Sequence, residues 1–291
     1  IILSQKKLGG FLMELINIAL EQKKHISGQN TFFREYNFFK EYFNVFNNSN
    51  KFYDNTVRGL ESISERELSE LCSILKKIAE KDIKLISRDI DLKQTPGIIT
   101  FVGDGSWDGH GIIIEGRPFV YFDLTAVQKD REDYNFNTFT AHELVHPIHY
   151  FRQKSFYPKN YEKIEEKYLK RLIAEGLATF LSDYYTDCRR EEAYWLGLLP
   201  SQKVEKWIEN CEKEKSKMAK RLKEQLSSSK IYKDLYYQLF AVTGPDYINH
   251  RFGYYYGTQI IKSIFKNKNI NELLNMKYEE YKNYILQYFN I

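Results

Sequence analysis

TFTAHELVHPIHYF (Thr138–Phe151) holds three of the chain's six histidines, one glutamate and one proline. Within it His142-Glu143-Leu144-Val145-His146 has the form HExxH. Four residues are about one helical turn, so both imidazoles lie on one face and can reach one ion. Glu143 directly follows the first imidazole and points beside the ion. From there it can take a proton from an activated water and pass it to a leaving amine. Zinc suits this donor set, because it accepts imidazole nitrogens, needs no redox chemistry and lowers the pKa of its water toward 7. Phe139, Leu144, Val145 and Ile148 around the motif predict a buried helix, where an unpaired His or Glu would be costly.

A catalytic zinc takes three protein ligands and keeps an open position. His149 lies three residues past His146, but three ligands from one helical turn rarely surround a tetrahedral ion. Pro147 cannot donate to the Glu143 carbonyl, so the helix is expected to kink or end after His146. That would leave His149 as a rim or supporting group. His110 sits in a glycine-rich turn upstream and stays open as a ligand. Glu175 ranks first. In RLIAEGLATFLSD (Arg171–Asp183), Tyr168, Leu172, Glu175 and Thr179 share a helix face, which aims a carboxylate inward among apolar neighbours. Gly176 beside it is expected to let this helix approach the HELVH helix closely.

HELVH followed about thirty residues later by AEGLATFLSD resembles the gluzincin metallopeptidases, the HExxH-plus-Glu group. The EGLA segment is similar to the EGxA helix of aminopeptidase-N-like enzymes. It is still more similar to a set of poorly characterised zinc-dependent proteases with HExxH, EGLA and a later GYxxG, matched here by Gly253-Tyr254-Tyr255-Tyr256-Gly257. The resemblance covers mainly residues 100 to 265. It implies a zincin-like α+β fold, Zn2+ held by His142, His146 and Glu175, and Glu143 as general base and acid. It also implies a tyrosine that steadies the oxyanion. Tyr254 matches the motif tyrosine and Tyr255 is the alternative; His250 and Arg251 could serve the same end. Two departures stand out. Thermolysin-like members carry an Asp four residues after the ligand Glu, where this chain has Thr179; Asp183, one turn on, is the substitute. The GxMEN strand of aminopeptidase-N-like enzymes is missing. The metzincin spacing fails too, since it needs Gly and His where this chain has His149 and Arg152.

Working outward, GGFLMELINIALEQKK, TFFREYNFFKEYFNVF and ERELSELCSILKKIAEK show apolar residues at helical spacing. KLISRDI, GIITFV, GIIIEG and RPFVYFDL predict a small sheet between about Lys84 and Leu124. The segment GRPFVYFDLT is expected to be an edge strand that pairs with extended substrate. After Thr125 the pattern returns to helix, with a pair four apart at Glu166 and Lys170. The whole reads as α+β, mostly helical, with a small mixed sheet next to the HExxH helix. Residues 1–95 are expected to form a helical N-terminal region packed on a catalytic part over 96–291.

The 291 residues carry 43% hydrophobic and 28% charged side chains, enough for a packed core. A net charge of +4, with no basic run laced with aromatics, gives no reason to expect nucleic acid. No stretch approaches the roughly 18 to 20 apolar residues of a membrane span. Three scattered cysteines favour a reducing, cytoplasmic setting, and a start without methionine leaves a secreted protein open. The glycines at 103, 105, 109 and 111 do not satisfy GxGxxG. Asp104, Ser106, Asp108 and Glu115 follow calcium-loop spacing, but strands rather than helices flank them. The expected function is a zinc-dependent peptidase acting on a peptide or protein. The alternatives are a zinc hydrolase of a small amide or lactone, and a non-catalytic binding protein on the same fold.

Overall fold

The computed structural model describes residues 13–26, 29–46, 51–241 and 246–291. The chain runs β1 (Leu15–Asn17), α1 (Ile18–Lys24), α2 (Gln29–Glu35), α3 (Asn37–Val45), α4 (Phe52–Ser62), α5 (Glu65–Ile86), β2 (Gly97–Phe101), β3 (Gly109–Ile114) and β4 (Arg117–Asp123). Helices follow to the end: α6 (Leu124–Lys129), α7 (Phe136–Arg152), α8 (Ile164–Tyr185), α9 (Arg190–Trp195), α10 (Ser201–Leu226), α11 (Lys233–Phe240), α12 (Phe252–Phe265), α13 (Ile270–Asn275) and α14 (Tyr278–Phe289). The fold is therefore α+β and mostly helical, with one mixed four-stranded sheet in the order β1-β2-β4-β3. No described helix is long and apolar enough to cross a membrane.

Both faces of the sheet are buried, and the two-residue period of the strands sorts the side chains between them. Ile99, Phe101, Phe119 and Tyr121 face an aromatic layer built by Phe38, Phe39 and Tyr42 of α3 and Phe52 of α4. The Tyr42 ring sits 5.2 Å from Phe101 and 5.4 Å from Tyr121. Ile98, Val120 and Phe122 face the larger core, which α5, α7, α8 and α12 supply. The helix α7 is buried from Thr138 to Tyr150 on all sides, which explains why its sequence is not strongly amphipathic.

Several expectations change. Leu15–Asn17, read as helix, is a strand that pairs in parallel with β2. Asn17 then ends the strand and starts α1, its Oδ1 accepting from Leu20 N at 3.3 Å. Phe11 and Leu12 of the same stretch lie outside the described residues. KLISRDI is not a strand: Lys84–Ile86 close α5, and a turn follows. The aromatic stretch at 31–46 is two helices, parted at Tyr36, whose backbone is extended. GRPFVYFDLT is not an edge, because β4 pairs with β2 on one side and β3 on the other. The free edge nearest α7 belongs to β3, the antiparallel strand.

Asp82 on α5 is 1% exposed, and neither carboxylate oxygen has a hydrogen-bond partner among the described residues. Burial pushes its carboxyl up from 3.8 to about 7. Between those values the folded protein keeps a proton that the unfolded chain releases. Stability from this group is therefore present below pH 4 and lost as pH rises to about 7. Asp82→Asn is expected to gain on wild type by up to about 4 kcal/mol between pH 4 and pH 7. Denaturant unfolding at both pH values reads the difference, and a gap that does not change with pH would refute it.

Candidate metal centre

The side chains that meet at the site come from five places. Asn135 starts α7, its Oδ1 accepting from Thr138 N at 3.2 Å. About two and three turns later His142 and His146 project from the face turned to α8. There His142 Nε2 lies 3.4 Å and His146 Nε2 3.6 Å from the same oxygen, Glu175 Oε2. Zinc bonds of about 2.0–2.1 Å place two tetrahedral ligands about 3.3–3.4 Å apart, so each spacing suits a ligand pair. The described side chains that draw together closely enough to hold a metal form two overlapping groups, His110, His146 and Glu175, and His142, Glu143 and His146. His146 Nε2 has no hydrogen-bond partner among the described residues, and all three side chains are at most 3% exposed. A buried donor set of two imidazoles and one carboxylate is suited to a borderline cation such as zinc.

Glu143 points beside this cluster. Its Oε2 is 4.0 Å from His146 Nε2 and 3.6 Å from His110 Nδ1, and it has no hydrogen-bond partner. Burial, then the nearby Asp108 and Glu175 charges, push the Glu143 carboxyl well above its usual range. Glu175 goes the other way. Burial pulls it up, but His142, His146 and Arg171 more than offset this and hold it well below the usual range. Burial also pushes the His142 imidazole down to about 4 and His110 well below its usual value. Neutral imidazoles keep the lone pair that a metal needs. Two adjacent carboxylates driven apart in this way are a common basis for dividing labour at a catalytic site.

Supporting contacts surround the four residues. Arg171, one turn before Glu175, places its Nε 3.4 Å from Oε1, which leaves Oε2 facing the imidazoles. Tyr150 lies one turn past His146 on the same face. Its hydroxyl is 3.5 Å from His146 Nδ1 and 3.0 Å from His110 Nε2. His110 arrives on β3 and its ring lies tilted against His146, 4.0 Å between centroids. Phe46, which closes α3, packs on His110 at 5.2 Å and accepts from Trp107 Nε1 at 3.0 Å. Phe46 is thus the N-terminal side chain that backs His110.

The approach of these elements depends on two glycine contacts. A side chain at Gly111 of β3 would meet Pro147 N at 2.4 Å, so the strand lies directly on the prolyl ring. A side chain at Gly176 would meet the Gly257 carbonyl carbon at 2.2 Å. The close partner of the Glu175 helix is therefore α12, not the HELVH helix. The contact joins the EGLA and GYYYG segments and brings Tyr254 to the site, its ring stacked 6.0 Å from His142.

Other expected residues are placed elsewhere. Tyr255 does not join the site; its hydroxyl bonds Glu212 of α10. His250 packs on Tyr237, away from the imidazoles, whereas Arg251 lines the same cavity as His142 and Glu143. The helix α7 neither ends nor breaks at Pro147, because packing on all sides carries it on to Arg152. His149 does face away from the cluster, but it is fully buried against Phe156 at 4.5 Å and is not at a rim. Asp183 supports no imidazole; it pairs with Lys262 at 3.3 Å. Glu115 sits in the β3–β4 turn and accepts from Asn37, a six-residue strand away from Asp108. At about 3.4 Å per residue the two cannot share a calcium ion. Sequence reasoning passed over Tyr150, Arg171 and Trp107, and weighed Asp108 only for calcium. Tyr150, four residues after His146, and Arg171, four before Glu175, left a signal in the spacing.

The cluster opens into a cavity of about 20 Å3 bounded by Trp107, Asp108, Gly109 and His110 before and on β3, His142 and Glu143 on α7, and Glu175 on α8. Leu196, Arg251 and Tyr254 complete it. Residues 101–283 match a family described as predicted Zn-dependent protease (DUF2268). No curated protein and no solved structure matches the chain. The matched segment is more than half of the 291 residues and contains all ten residues that line the cavity. The chain belongs to this family of predicted Zn-dependent proteases.

Proposed function

We propose that the protein is a gluzincin-type zinc metallopeptidase in which His142, His146 and Glu175 hold the ion and Glu143 moves the proton. The observation that carries this reading is the pair of imidazole nitrogens at 3.4 and 3.6 Å from one carboxylate oxygen, with the unpartnered Glu143 Oε2 beside them. A bound zinc ion would lower the pKa of a water and polarise the scissile carbonyl. Glu143, beside the cluster, would accept a proton at its carboxylate and pass it to a leaving nitrogen. The phenol of Tyr254, raised in pKa by burial and the Glu175 charge, stays protonated and can donate to the developing oxyanion. Tyr150 orients His146, and Arg171 orients Glu175. Residues 96–291 carry this chemistry, and the described residues before them pack on this part and reach the site through Phe46.

Metal analysis together with a peptide-library cleavage assay tests the proposal. Glu175→Ala is expected to weaken zinc binding by more than about 10²-fold, since losing a supporting contact alone costs 10- to 100-fold. Full zinc occupancy in this variant would instead give His110 the third position. Absence of zinc and of any cleavage in wild type would refute the whole reading.

A further inference from the structure

Arg251 stands out at the cavity. It is 1% exposed, and its Nε donates to Tyr194 O at 2.6 Å. Its Nη1 is buried with no hydrogen-bond partner among the described residues. The guanidinium lies 3.6 Å from the centroid of the Tyr254 ring, and the residue lines the same cavity as His142 and Glu143. The backbone is bent to put it there: Arg251 is left-handed, at φ 62°, just before α12. A non-glycine residue holds that conformation only where its surroundings enforce it. Here Trp207 Nε1 anchors the preceding carbonyl of His250 at 2.7 Å.

A buried cation with an unanswered donor is costly unless something binds it. A guanidinium presents parallel N–H groups that match a carboxylate in a two-point contact. We infer that Arg251 binds a carboxylate of the substrate, so that the bond cut lies next to a free α-carboxylate. This rests on the metallohydrolase reading above. One small cavity is lined by both Arg251 and the proton-moving Glu143, so the anion and the scissile carbonyl lie within about one residue of each other. The substrates are then peptides cut at their C-terminal residue, or N-acyl amino acids.

Two readouts test this. In titration calorimetry of the metal-free protein, N-acetylalanine is expected to bind at least about tenfold tighter than N-acetylalaninamide, the gain typical of a charge-assisted pair. Arg251→Gln should bind both alike, and Arg251→Lys should restore part of the preference. In the zinc-loaded protein, the acid-over-amide ratio of kcat/KM is measured on acetyl-Ala-Ala and on acetylated penta-alanine. It should exceed about tenfold for at least one of them in wild type and fall toward one in Arg251→Gln. The short and long pair separates acyl amino acids from peptides. Equal binding of acid and amide by wild type, or a ratio untouched by Arg251→Gln, overturns the inference. Hydrolysis without acid preference keeps the hydrolase reading and removes the anchor. Acid-selective binding lost in Arg251→Gln, with no hydrolysis of any peptide, does the reverse.

Discussion

Glu143→Gln is expected to keep its zinc and its fold while peptide hydrolysis falls by about 10³-fold or more. The substitution is nearly isosteric, and Glu143 Oε2 has no hydrogen bond to lose. Burial already disfavours the carboxylate at this position, so a neutral amide adds no desolvation cost. The amide cannot accept a proton, however, and a positioned acid–base group contributes about 10² to 10⁴ in rate. The loss should appear in kcat, with KM little changed, because the group acts in the transition state. Glu143→Asp, one methylene shorter, should fall between the two. Equal zinc content and undiminished turnover in Glu143→Gln would remove Glu143 from the mechanism and hand the proton transfer to another group.

The parts of this site legible in the sequence are those that a single helix fixes. His142, Glu143 and His146 keep their mutual placement because a helical turn has one pitch, and Glu175 announced itself as a carboxylate on the inward face of α8. What was not legible came from pairings distant in sequence. Leu15–Asn17 is too short to show a period, and the free side of β2 decides that it is a strand. Strand order is equally silent in the sequence, so the apolar run of β4 resembled an edge although β3 holds that place. A small residue says that something comes near without saying what, and Gly176 was for that reason matched to the wrong helix. His110 reaches His146 only because the β3 edge lies on α7 at Gly111 and Pro147. Arg251 sits in a segment whose direction is set by the left-handed turn before α12 and by Trp207 of α10, neither of which the local pattern reveals.

The same long-range contact yields the second large effect, Gly257→Ala. In the middle of an exposed helix this change is expected to stabilise by about 1 kcal/mol, because alanine is the better helix former. At Gly257 the new Cβ would lie 2.1 Å from Leu172 O and 2.8 Å from Gly176 Cα. Both are backbone atoms of α8, so no side-chain rotation relieves the overlap, and the two helices must part. Overpacking of this kind costs about 1–3 kcal/mol, to which the lost packing of α8 on α12 adds, so a loss near 3 kcal/mol is expected in denaturant unfolding. Ser263→Ala, on the exposed side of the same helix, should stay within about 0.5 kcal/mol of wild type. Glu175 precedes Gly176, so parting α8 from α12 also moves a carboxylate whose oxygen lies 3.4 Å from His142. Zinc affinity should therefore fall together with stability in Gly257→Ala, though residue 257 touches no proposed ligand. A Gly257→Ala protein that is destabilised yet binds zinc as tightly as wild type would show that α7 and its own packing, rather than the α8–α12 contact, set the position of Glu175.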